Sequence, residues 1–118
     1  MKALTNLGKY LFVLPMAIFG LMHFLSADAM ADMVPEWLPG GSFWVYLTGL
    51  ALIASAVAVI LDRHAQLALQ LLGLMLLLFV LMIHLPSYMG GDEMAMVSIM
   101  KDLALCGGAW WASTQYNA

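Results

Sequence analysis

The sequence predicts an all-α membrane protein, a four-transmembrane-helix up-down bundle with both termini cytoplasmic, and three observations predict it. Of the 118 residues, 64% are hydrophobic and only 9% are charged, against roughly 45–50% and 25% in soluble domains. The mean hydropathy is +0.95, and a globule this small has too little interior to hide such an excess from water. The few charged residues also cut the chain into apolar lengths near the ~20 residues that a bilayer core requires. A soluble cytoplasmic enzyme is therefore excluded. Four Lys and Arg residues and one Cys likewise exclude a nucleic-acid binder, which needs a basic patch, and a disulfide scaffold.

The first span is expected over about 8–27, where Tyr10 to Ala27 is apolar between Lys9 and Asp28. Lys2 and Lys9 ahead of an apolar run, and the small-x-small Ala27-Asp28-Ala29, also resemble a signal peptide. The run is longer than the ~7–15 residues of a signal h-region, so a retained helix is the better reading. The second span follows over 43–61, after the Pro39-Gly40-Gly41 break, and the third over 65–85, ended by His84, Pro86 and Gly90-Gly91. The fourth reaches length only over 94–112, which takes Lys101 and Asp102 into the membrane. The whole chain then forms a single transmembrane domain. Pro15 is expected to bend the first helix and Gly20 to allow close approach. Ala51, Ser55, Ala54, Ala58, Gly107 and Gly108 offer small-residue packing or self-association faces.

Charge sets the orientation. Lys2, Lys9 and Arg63 share one side, while Asp28, Asp32, Glu36, Asp92 and Glu93 share the other, so the termini and the 62–64 turn are placed in the cytoplasm. Trp110 and Trp111 then lie at the cytoplasmic interface and Trp37, Trp44 and Tyr88 at the outer one. This topology directs His23, Glu36, His84, Lys101 and Asp102 towards the outer half. At ~1.5 Å rise per residue, His23 stands about 20 Å from Lys9, Lys101 about 14 Å from Trp110 and His84 about 30 Å from His64.

Intramembrane charges are costly and demand partners. Lys101 and Asp102 are neighbours about 100° apart on a helix, so each should reach a different helix, with Asp28, Glu36 or His23 as the available complement. The functional reading is an outward-facing polar pocket that binds an anionic or quinone-like headgroup or relays protons. The structural alternative is a snorkelling Lys101 and polar residues that lock helices together, with His84 a histidine of the outer rim. Gln66, Gln70, Gly73, Leu77 and His84 share one face of the third helix, a packing seam more than a conduit.

Eight methionines (Met22, Met30, Met33, Met82, Met89, Met94, Met96 and Met100) fall in the outer half, which raises Cu(I) handling by thioethers. The alternative is apolar filling. His23 and His84 differ in depth by ~10 Å, which argues against a bis-histidine haem. Cys106 is the lone cysteine, so a thiol–disulfide relay, which needs a pair, is excluded for this chain alone. No Ser-His-Asp, phosphate-loop or dinucleotide-binding pattern is present.

Phe19-Gly20-Leu21-Met22-His23-Phe24, Val34-Pro35-Glu36-Trp37-Leu38-Pro39, Phe43-Trp44-Val45-Tyr46-Leu47-Thr48-Gly49 and Lys101-Asp102-Leu103-Ala104-Leu105-Cys106-Gly107-Gly108 together resemble the DoxX family of small four-helix bacterial membrane proteins. The resemblance implies an inner-membrane, multi-pass protein, a subunit that supports a membrane redox complex and interacts with quinone. It points at His23, Glu36, Trp37, Lys101 and Asp102. At most it implies a subunit of an oxidoreductase, not catalytic alone, with a redox partner protein or a second copy as partner. The alternatives are a non-enzymatic assembly, chaperone or lipid-binding protein and, third, a copper-handling protein.

Overall fold

A computed structural model describes residues 2–32 and 34–116; Met33 lies outside the described residues. Helices make up most of the described backbone, and there is no strand among the described residues. Contacts divide the chain into two units, residues 1–65 and 66–118.

The first unit holds α1 (Lys2–Leu25), a short α2 (Ala27–Ala31) and α3 (Ser42–Leu61). The first span thus begins six residues before the expected start at 8 and takes in Lys2 as well as Lys9. It runs through Pro15 and stops at Ser26, a residue type whose side chain competes with the helix ladder. Buried Val13, Met16 and Gly20 on α1, and buried Val45, Gly49, Leu52, Ala56 and Val59 on α3, recur at three- and four-residue spacing, the signature of two helices packed along a seam. Gly20 lies against Gly49 and Ile53, and Phe24 against Tyr46 at 5.6 Å between ring centroids, so the helices run antiparallel. At the crossing the two glycines allow backbone to meet backbone. A β-carbon on Gly49 would stand 2.8 Å from the Gly20 carbonyl oxygen, and one on Gly20 would stand 2.7 Å from the Gly49 carbonyl oxygen.

The loop before α3 turns on Gly40 (φ 111°) and Gly41 (φ 45°), conformations that favour glycine. It is pinned by Trp44, whose indole N–H donates to the Pro39 carbonyl. At the other end of α3, Asp62 adopts the left-handed conformation and its N–H bonds back to α3 carbonyls, as does that of Arg63. The helix is thereby closed by a tight αL cap.

The second unit holds most of α4 (Ala65–Phe79), a π-helical turn (Val80–His84), α5 (Leu85–Met89) and α6 (Ala95–Ser113). The third span was expected to end near Leu85; instead the helix continues through Pro86 to Met89. Proline removes an N–H and its ring collides with the carbonyl four residues back. The widened turn just before it, in which the Leu85 N–H reaches the Val80 carbonyl, relieves that conflict. α4 and α6 run antiparallel, since Trp110 meets Gln70 and Gly73 while His84 meets Asp102. The indole N–H of Trp110 donates to the Gln70 carbonyl at 3.0 Å, with the ring lying over Gly73. Gln70 and Gly73 thus take part in a packing seam, whose partner is a tryptophan expected only at the interface. Trp110→Phe keeps the ring and loses the bond, and should lower stability by about 1 kcal/mol in a thermal melt of the detergent-solubilised protein. An unchanged melt would show that the bond contributes nothing.

Three helices, Lys2–Leu25, Ser42–Leu61 and Ala65–Met89, are long and apolar enough to cross a membrane, and only 17–28% of an apolar 18-residue stretch in each is buried within the protein. The exposed remainder includes Leu11, Ile18, Leu25, Leu50, Leu61, Leu67 and Leu71. Such surface is stable in lipid and unstable in water. α6 has the length of a span but is not among the three.

Candidate functional site

The polar site is set by the seam of α6. Ala95, Ile99, Asp102, Cys106, Ala109 and Ser113 are its buried residues, spaced four, three, four, three and four apart. Asp102 therefore falls on the packed stripe, and Lys101, about 100° round the helix, falls on the exposed side. The seam of α4 brings the partner. Ala65, Leu69, Leu72 and Leu76 are its buried hydrophobics, and Val80 of the π turn continues the row. At about 100° per residue, a regular helix would carry a residue four beyond Val80 further off that stripe. The π turn has more residues per turn, so it rotates His84 back towards the seam.

There His84 Nε2 and Asp102 Oδ2 stand 3.0 Å apart, with side chains only 14% and 8% exposed. The expectation of a rim histidine is corrected by this pairing: His84 faces a buried carboxylate because the helix does not end before Pro86. Within the second unit the complement of Asp102 is this histidine. A carboxylate and an imidazole nitrogen at this distance make a hydrogen bond, which Nε2–H of either a neutral or a protonated ring can donate to the Asp102 carboxylate. The dyad can accordingly donate or accept a hydrogen bond, and can give up or take a proton, while both groups stay satisfied within the apolar seam. No buried side-chain nitrogen or oxygen among the described residues lacks a partner.

The other expected site residues are less buried. Lys101 is exposed on α6. His23 is half-buried near the end of α1, where its Nδ1–H donates to the Phe19 carbonyl of its own helix at 2.6 Å. Glu36 is exposed in the loop before α3, and Trp37 beside it is 69% exposed. Met89, Met94, Met96 and Met100 are exposed as well. Among the described residues no group of three or more His, Cys, Asp or Glu side chains is placed to hold a metal ion. The residues least legible in the sequence are Ser26 and Tyr46, which line a concavity described below. Ser26 belongs to no motif, Tyr46 stands only within a segment that carries the family resemblance, and the helix break at Ser26-Ala27-Asp28 is the one hint of a hollow there.

A family model for a domain of unknown function, DUF8561, matches residues 12–98. The match takes in most of α1, all of α3 and α4, and His84, and it stops four residues short of Asp102. Neither the curated proteins nor the solved structures yield a match. Since the matched segment spans nearly three quarters of the chain, the protein belongs to the DUF8561 family.

Proposed function

We propose that this chain is a multi-pass protein of the bacterial inner membrane, with four spans running up and down and both termini cytoplasmic, that binds a quinone-like headgroup and supports a membrane redox partner. The observation that carries the reading is the His84–Asp102 pair, two ionisable groups held in a largely apolar seam. Intramembrane ionisable residues are expensive and mark ligand or proton pathways by default. α6 serves as the fourth span. Its 19 residues rise about 28 Å, its inward charge is paired, and Lys101 on the exposed side has a long stem with which to snorkel. The resemblance to the DoxX family supports the same topology and the same class of function.

In this reading a quinone carbonyl accepts a hydrogen bond from the dyad or from Lys101. Reduction to the quinol needs two electrons, which the redox partner protein supplies, and two protons, which the dyad takes up from water and passes on one after the other. The chain's own share is binding and proton supply, so it has no turnover alone. A second reading, a non-enzymatic assembly or lipid-binding protein, is favoured by the open face at Gly107 of α6, where a β-carbon would meet nothing within 4 Å. Native mass spectrometry of the gently purified protein separates them. Stoichiometric quinone, lost in Asp102→Asn, is the expected result. Protein that carries phospholipid alone would overturn the quinone reading and leave assembly or lipid binding.

A further inference from the structure

The first unit has a feature of its own. Where α1 stops and α2 begins, a concavity of about 400 Å³ is lined by Phe24, Leu25, Ser26, Ala27, Asp28, Ala29 and Tyr46. Three properties of that wall favour a cation. Asp28 presents an exposed carboxylate and forms no ion pair among the described residues. Phe24 and Tyr46 offer a tilted aromatic pair, whose ring faces attract ammonium groups. The 24-residue α1 ends here at Leu25, so the negative end of its dipole points at the same place. The basic residues of α1, Lys2 and Lys9, lie more than a dozen residues back along the helix, and His23 does not line the concavity.

The size and the surroundings narrow the ligand. A volume near the lower end of small-molecule sites suits a headgroup better than a whole lipid. The apolar surface continues inward from the cavity along both helices. Leu21 lies one turn before Leu25 on α1, Leu50 lies one turn after Tyr46 on α3, and both are exposed. With α1 and α3 read as spans, that track runs from the membrane end of the helices towards the bilayer interior, where acyl chains lie.

We infer that this concavity is a binding site for the ammonium headgroup of a zwitterionic phospholipid such as phosphatidylethanolamine, with Asp28 as counter-ion, Phe24 and Tyr46 as the aromatic wall and Leu21 and Leu50 as the start of the acyl track. The site is independent of the quinone reading and needs only that α1 and α3 span a membrane.

The test is a titration of the delipidated full-length protein, followed by native mass spectrometry, with phosphatidylethanolamine, phosphatidylglycerol and soluble phosphoethanolamine as separate probes. The expected result is a preference of about fivefold or more for phosphatidylethanolamine over phosphatidylglycerol. Asp28→Asn should abolish that preference and leave phosphatidylglycerol binding as it was. Because Asp28 is exposed, the substitution is expected to fold, and an unchanged far-UV circular dichroism spectrum verifies it. Tyr46→Leu should weaken the preference, while Tyr46→Phe should retain it. Equal binding of the two lipids, or a preference that survives Asp28→Asn in folded protein, overturns the site. Phosphoethanolamine binding as tightly as the lipid, and in an Asp28-dependent way, overturns the lipid assignment in favour of a soluble amine.

Discussion

Gly49→Ala is expected to lower the stability of the α1–α3 pair by about 2–3 kcal/mol, through the addition of one methyl group. The new β-carbon would stand 2.8 Å from both the Gly20 carbonyl oxygen and the His23 β-carbon. Neither is the end of a flexible side chain, so the helices themselves must separate. Gly20→Ala meets the Gly49 carbonyl oxygen at 2.7 Å and the Ile53 Cγ1 at 2.6 Å and should cost a similar amount. The double variant should cost less than the sum, because helices already pushed apart by one methyl group have room for the second. Gly8→Ala and Gly107→Ala supply the control, since a β-carbon at either position meets nothing within 4 Å. Both should be neutral or slightly stabilising, as alanine is the better helix former. Thermal melts of the four single variants in one detergent decide the matter. Equal melting temperatures for Gly49→Ala and Gly107→Ala would contradict a close backbone crossing.

Asp102→Ala is the second large effect. It strands His84 in the seam and is expected to destabilise the second unit by about 3 kcal/mol, as does the loss of one partner from other buried ion pairs. His84→Ala should be at least as costly, because it strands a carboxylate. The double variant His84→Leu with Asp102→Leu replaces the pair by apolar side chains and should recover most of the loss. That recovery separates the energetic from the functional role. If the pair serves only to lock helices, the double leucine variant retains whatever the native protein binds. If the pair contacts a quinone, the double variant is stable and empty. A melting temperature unmoved by Asp102→Ala would show that the carboxylate is not held in the seam at all.

Much of the helical layout is legible in the sequence because lipid imposes so strong a rule on composition. Apolar runs near twenty residues, bounded by Lys9, Asp28, Asp62 and Gly90-Gly91, locate three long helices to within a few residues at most ends. Gly20 is readable as a point of close approach, since a glycine within an apolar helix has few other uses. What it approaches is not readable, for nothing local distinguishes Gly49 from Gly107, and only the crossing of α1 with α3 gives one of them a neighbour. His84 shows the same limit more sharply. Pro86 two residues later reads as a helix stop, and a histidine at a helix stop reads as a rim residue. A proline forbids only one hydrogen bond and one steric contact, however, and a single π turn accommodates both. The helix therefore continues, and the histidine turns towards Asp102.

By itself the sequence determined that this chain is helical, that its long helices are apolar enough for a membrane, and that Lys101 and Asp102 must face different surroundings. These follow from composition and from the ~100° between adjacent helical residues, quantities that no packing can change. The tertiary structure alone decided which carboxylate meets which imidazole, which glycine faces which, and that the break after α1 opens a lined concavity beside Tyr46. Each of those depends on the relative height and rotation of two packed helices, which are fixed by side chains distant in the chain.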